Sequence, residues 1–310
     1  MLSVTMAALN AAQKEMNVTS NNLANASTVG FKRSYANFGD VFSNDPASNP
    51  KTAVGAGVLL TSVARDTTAG ALKSTGRVTD MAIDGRGFFV TRDPAGTANT
   101  YSRAGNFSVD AAGYVVDPGG FRLMGYNGVQ SGGSLSADEA GGLQAIQIPP
   151  TVTFPSTGTL EPNATDNPSI DPTLLSGVFA DAASGATHAN GDKIVLQGIS
   201  ISPKGEVQAT YSDNKTYTIR FVSIASFPND GGLKAIGNNR YSETGLSGKA
   251  SITGAGAPKA GNIMSGTLEQ ANVDITNELM DMIRSQQVYN GNARMLQTTI
   301  ETVSRITDKI

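Results

Sequence analysis

The sequence predicts an α+β chain. A coiled-coil helix stands at each terminus, and a discontinuous antiparallel β domain with a small β/loop insertion lies between them. Three observations predict it. First, Ile275, Met282, Tyr289, Leu296, Val303 and Ile310 stand seven residues apart, and Leu2, Leu9, Met16 and Leu23 keep the same step at the other end. A sustained seven-residue apolar repeat lays one stripe along a helix and asks for a partner helix. Second, the middle of the chain breaks into short β-branched and aromatic runs separated by Gly-rich turns. Third, residues 128–192 interrupt those runs with a stretch rich in Ser, Thr, Gly, Asp and Pro.

Residues 1–26 read as a helix, with Ala12 and Ala26 three positions beyond Leu9 and Leu23. It ends around Asn21–Asn25, because Asn tolerates the left-handed conformation that stops helices. Residues 34–70 lack helical periodicity and carry Pro46 and Pro50, so extended chain and loops are expected. From Gly70 to about Asn127, short strands alternate with turns. Met81–Ile83 and Phe88–Val90 flank Gly85-Arg86-Gly87, and Asp110–Gly113 is a hairpin signal before Tyr114–Val116. Strand patterning returns at 194–201, 206–211 and 216–227, with Asp213-Asn214 turning the last pair. The final helix begins near Asn272 or Asp274, both suitable caps, and Leu279, Ala293 and Ile300 add an incomplete second apolar row.

The order helix, β, insertion, β, helix implies nested layers. Residues 1–70 with 266–310 would form a helical coiled-coil layer with its linker. Residues 71–144 with 191–265 would form a β-rich wall domain, and 145–190 a small outer insertion. Two such helices around a Gly-rich middle suggest a subunit that packs lengthwise into a polymer. Ordering either helix costs more conformational entropy than its few large anchors return on burial. Both ends are therefore expected to be disordered in the monomer and to fold on assembly.

Composition narrows the function classes. Net charge is -3 with 16% charged residues, so no basic patch is available for nucleic acid. No apolar run reaches the roughly 18 residues of a membrane span, and no cleavable secretory signal pattern is visible. Zero cysteines exclude disulfides, thiolate metal sites and a Cys nucleophile.

Catalytic constellations fail one by one. The single histidine, His188, lies in a polar loop with no second His and no G-x-S-x-G elbow. Gly245–Ala250 imitates a phosphate loop but has the wrong Gly spacing, and Ala250 replaces the magnesium-binding hydroxyl. Glu161–Asp166 lacks the spacing of a calcium loop. Glu278 and Asp281 share a helical face and read as a solvated or subunit-contact face, with Arg284 three residues from Asp281. No enzyme activity, metal or cofactor is expected.

Three stretches carry a resemblance. They are Asn21–Arg33, with Asn22, Leu23, Asn25, Gly30 and Phe31; Asp80–Phe89 through Tyr101–Phe107, with Gly85, Gly87 and Phe88; and Ser265–Asp274 with the helix after it. In this order they resemble the flagellar axial proteins of bacteria, which include rod and hook subunits. Leu123–Asn127, Gly198–Val207 and Phe227–Leu233 resemble hook subunits in particular. The insertion is short for a hook outer domain, and a rod subunit, or less closely a secreted adhesin, is the alternative. The resemblance implies a hollow helical homopolymer that transmits motor torque to the filament, outside the cell. It further implies hook cap, rod and hook–filament junction proteins as partners, and export through the flagellar type III apparatus without a cleaved signal. Phe38-x-x-x-Phe42 resembles an export signal of that apparatus, or else is a pair of buried aromatics.

Overall fold

A computed structural model of the chain describes residues 2–41, 55, 57–96, 98–131, 134–138, 142–153, 193–257 and 260–307. His188, Glu161–Asp166, Phe42 and Ile310 lie outside the described residues. The chain divides into two compact units, 1–70 with 271–310 and 71–270.

The first unit holds helix α1 (Leu2–Ala24), strands β1 (Ser34–Val41) and β2 (Gly57–Arg65), and helix α2 (Ile275–Thr307). Helix α1 stops at the Asn cluster, and the chain turns at Gly30, whose φ of 68° suits glycine. Helix α2 is capped by Asp274, whose Oδ1 accepts from the Thr276 amide at 2.9 Å and the Asn277 amide at 3.3 Å. The expected loops of 34–70 instead contain an antiparallel ribbon, Ser34 opposite Arg65 through Val41 opposite Gly57, with a register shift at Asn37/Phe38. Its strand signal is weak because Asn37, Gly39 and Asp40 disfavour strands.

The second unit is β-rich. Its strands run β3 (Leu72–Ser74), β4 (Met81–Asp84), β5 (Phe88–Arg92), β6 (Asn99–Ser102), β7 (Ser108–Val109), β8 (Val115–Val116), β9 (Arg122–Ser131), β10 (Ser134–Asp138), β11 (Gln144–Ala145) and β12 (Thr151–Thr153). They continue with β13 (Lys193–Ile201), β14 (Glu206–Tyr211), β15 (Thr216–Ser226), β16 (Lys234–Gly237), β17 (Arg240–Ser242), β18 (Ser251–Gly254), β19 (Asn262–Ser265) and β20 (Thr267–Glu269). The main sheet has the order β12-β13-β14-β15-β9-β5-β6-β17-β16. Side pairs β19–β4 and β20–β3 bring its last residues back to its first. Among the described residues the strand pairings are antiparallel.

Successive strand residues point to opposite faces, and both faces of the central strands are covered. Phe89, Leu123, Val222 and Ile224 enter one buried cluster with Phe107, Ile146 and Ile219. Phe88, Val90, Met124 and Ala225 enter the other with Tyr101, Phe227 and Tyr241. Edge-to-face rings support each side, Phe89–Phe107 at 5.3 Å and Tyr101–Phe227 at 4.8 Å between centroids.

Candidate functional site: the terminal helices and their joints

Helices α1 and α2 pack along each other. They run antiparallel, because Asn22 near the end of α1 meets Glu278 near the start of α2. The buried residues of α1 are Thr5, Ala12, Thr19 and Asn22, and those of α2 are Glu278 and Ser285. The seven-residue step therefore marks the packed row, but that row is small and polar. Small side chains let two helix backbones approach closely, and the larger ones are left to flank the seam.

The predicted stripe residues sit beside this row or away from it. Leu9, Met16, Leu23, Met282, Tyr289 and Leu296 are half-buried, while Leu2, Ile275, Leu279, Ile300 and Val303 are exposed. Between the two helices of this chain the buried row is Thr5, Ala12, Thr19 and Ser285, and Ala12 is the member of it that the sequence reading names. Met280, Ile283, Val288, Met295 and Ile306 are exposed as well. Helix α2 therefore presents large apolar residues that the other described residues do not cover, which is the signature of an interaction surface.

The motif residues work as joints. Asn22 donates from Nδ2 to the Ser34 carbonyl at 2.7 Å and to Glu278 Oε2 at 3.1 Å, and its Oδ1 accepts from the Ser34 amide at 2.9 Å. Arg33 donates from Nε to Glu278 Oε1 and lies 3.5 Å from Asp281. Asn272 Oδ1 accepts from the Arg33 amide at 2.7 Å, and its Nδ2 donates to the Asp66 carbonyl at 3.0 Å. So Asn22, Arg33, Asn272 and Glu278 tie the end of α1, the start of β1 and the entry to α2 into one knot. Glu278, read from sequence as part of a solvated or subunit-contact face, is 1% exposed. A carboxylate so buried needs charged partners, and Arg33 supplies one. Nearby, Asp66 accepts from the Thr68 amide at 2.9 Å. That hydrogen bond, with the charges of Lys32 and Arg33 behind it, holds the Asp66 carboxyl below its ordinary value.

The remaining motif positions follow similar logic. Asn25 donates to the Asn21 carbonyl and accepts from Thr28, closing the end of α1. Phe31 is half-buried, as is Phe38 in β1 opposite Leu60. Gly85 and Gly87 both take φ of 119°, and a Cβ on Gly87 would stand 2.3 Å from Ile224 Cγ2. Phe88 packs edge-on to Phe227 and Tyr241. Arg103 donates to the Ile83 and Gly85 carbonyls at 3.3 and 2.8 Å and pairs with Glu269 at 3.2 Å, both side chains buried. Arg103 and Glu269 belong to two of the motif stretches noticed in the sequence, yet no local signal paired them.

No catalytic arrangement appears among the described residues, where no group of three His, Asp or Glu gathers as for a metal ion. An open groove of about 620 Å³ lies along Asp84–Gly87, Ser226–Pro228 and Ala260–Asn262, and its Arg86 is engaged with Asp230 at 3.3 Å. No described helix is long and apolar enough to cross a membrane.

Three family profiles match the chain. They are the "Flagella basal body rod protein" family over residues 2–32, the "Flagellar hook protein FlgE/F/G D1 domain" over 82–165, and the "Flagellar basal body rod FlgEFG protein C-terminal" over 264–308. The flagellar basal-body rod protein FlgG of Bacillus subtilis is 30% identical over 307 residues, covering 95% of this chain and 92% of that one. The chain belongs to the flagellar hook and rod axial protein family. The FlgG of Caulobacter vibrioides is 30% identical over 301 residues, covering 93% of this chain and 90% of that one. The flagellar hook protein FlgE of Escherichia coli is 28% identical over 399 residues, covering 96% of each. The chain is therefore a structural component of the bacterial flagellum, from a family of axial subunits that are not enzymes.

Proposed function

We propose that this chain is a hook subunit, polymerising into a hollow, flexible tube that couples motor torque to the filament. The observation that carries the reading is the antiparallel pair β12–β13, which brackets residues 154–192 in the sequence. Thr153 at the end of β12 lies directly opposite Lys193 at the start of β13. A segment inserted through one antiparallel pair can be carried on the outside of a subunit without disturbing the sheet behind it. In the nested layers of the sequence reading, terminal helices face the lumen behind a β wall and an insertion is outermost; residues 145–153, assigned there to the insertion, belong instead to the sheet and its core. In that reading the chain reaches the growing tip through the flagellar type III apparatus, with Phe38 and Phe42 as export signal. It assembles under a cap between rod and hook–filament junction proteins.

One observation favours a rod subunit instead. Of the 399 positions aligned with the Escherichia coli hook protein, this chain fills 96% of its 310 residues, about 298, leaving about a hundred opposite gaps. Against the Bacillus subtilis rod protein the same arithmetic, 95% of 310 in 307 positions, leaves only about a dozen. Gold-tagged antibody against residues 150–190, imaged on purified flagella with basal bodies attached, separates the two. Label along the curved segment outside the outer membrane is the expected result. Label confined to the rod, once the membrane rings are stripped, makes this a rod protein; no label on either overturns both readings.

A further inference from the structure

Two arginines meet in the β-rich unit where a sheet ordinarily avoids it. Arg92 at the end of β5 stands directly opposite Arg122 at the start of β9. Residues directly opposite on an antiparallel pair share a face, and like charges so placed repel. Among the described residues neither arginine forms an ion pair with Asp or Glu. Arg92 donates from Nε and Nη2 to Asn99 Oδ1 at 2.9 and 2.7 Å. That neutral acceptor orients the guanidinium without cancelling its charge. The Arg122 guanidinium lies over the Tyr114 ring, 3.6 Å from the centroid. Its Nε is buried with no hydrogen-bond partner among the described residues. A buried donor left unpaired is costly and asks for an acceptor.

Both arginines line one open pocket of about 370 Å³. Met124, Leu143 and Ala145 give the pocket an apolar side. Asp93 also borders it, but its Oδ1 accepts from the Ala95 amide at 2.9 Å and its carboxylate pairs with neither arginine. A guanidinium presents a planar fork of donors that matches the two oxygens of a carboxylate. One carboxylate between the two forks would remove the repulsion. The apolar side suits a short hydrocarbon body attached to that carboxylate better than a fully hydrated phosphate.

We propose that Arg92 and Arg122 form a binding site for an organic carboxylate with a small apolar body, Asn99 and Tyr114 holding the two guanidiniums in place. The carboxylate is either a free small acid or an Asp or Glu side chain of a second copy of this chain. The site lies within the β-rich unit and stands independently of the hook and rod readings above.

Titration of the full chain with sodium butyrate, followed by isothermal titration calorimetry at low and constant ionic strength, tests it. The expected result is a dissociation constant of about 1 mM, the weak range of a ligand with so few atoms, and a raised unfolding midpoint that matched chloride does not give. Arg92→Gln ends the repulsion, so its butyrate-free midpoint at low salt should not fall, while its butyrate affinity should fall about tenfold or more. Arg122→Gln should lose the affinity likewise. Should either variant fail to fold, the wild-type comparison still decides: butyrate acting no differently from chloride overturns the site. Butyrate bound equally well by a folded Arg92→Gln overturns it too, and phosphate bound as tightly as butyrate overturns the carboxylate class. Once butyrate is shown to bind, sedimentation separates the two sources. A critical concentration for polymerisation that rises with butyrate assigns the carboxylate to a neighbouring copy, and an unchanged one assigns it to a free acid.

Discussion

At the scale of single residues, three positions bear on the stability of one unit or the other. Gly105 sits where a Cβ would be 1.6 Å from the Met81 carbonyl oxygen, a contact with backbone that cannot rotate away. Gly105→Ala should therefore cost more than about 3 kcal/mol of the β-rich unit's stability, as overpacking against fixed atoms does at its upper end. Denaturant unfolding followed by near-UV circular dichroism reads this directly. Ser285 presents the reverse case, since its Oγ is buried in the helix seam with no hydrogen-bond partner among the described residues. Ser285→Ala removes an unsatisfied group and improves helix propensity, so it should stabilise the helix pair by about 1 kcal/mol. A loss of stability would show that the hydroxyl is engaged. The third is Asp66, whose carboxyl is held below its ordinary value first by the Thr68 amide. A depressed carboxyl contributes stability above its unfolded pKa, near 3.8, and loses it as pH falls through the lower folded value. Acid titration of unfolding should show that loss, and Asp66→Asn should remove that part of the pH dependence.

At the scale of elements, the seven-residue repeat was legible, and which of its rows is buried within the chain was not. The repeat located both helices, but spacing alone does not say which row meets the partner. Thr5, Ala12 and Thr19 share the repeat of Leu2, Leu9 and Met16 and lie three residues away, and it is the small row that is buried. Glu278 was hidden for another reason. Its partners Asn22 and Arg33 are 256 and 245 residues distant, beyond any local pattern. The strand pair β1–β2 was masked by poor strand formers, whereas β5 was plain because Phe88-Phe89-Val90 is apolar on both faces. The turn at Asn238 and Asn239, with φ of 50° and 55°, could have signalled the β16–β17 hairpin, since adjacent Asn residues suit two left-handed positions. The outward row of α2 carries its own prediction. Leu279→Ser with Ile283→Ser removes two exposed apolar residues, so the monomer should lose less than about 0.5 kcal/mol per site by thermal unfolding. The same double variant should fail to assemble. Assembly at wild-type concentration would move the contact surface off this flank.

At the scale of the whole molecule, two tendencies combine. The β-rich unit is closed by antiparallel pairing and filled on both faces of its central strands. The helical unit is knotted at one end by Asn22, Arg33, Asn272 and Glu278, half-buries Leu9, Met16, Leu23, Met282, Tyr289 and Leu296, and leaves other large apolar residues of α2 exposed. A subunit built this way leaves large apolar helical residues for copies of itself to cover, and the expectation from the sequence that the helices order on assembly is a separate proposal. Fast amide exchange in both helices of a verified monomer, slowing on polymerisation, is the pattern that account requires. The most direct measurement is electron microscopy of the purified full chain raised through its solubility range, with sedimentation alongside. The account predicts hollow tubes of uniform diameter that sediment above a sharp critical concentration and vanish when residues 275–310 are removed. A chain that stays monodisperse and monomeric at every concentration, or assembles equally well without α2, would contradict it.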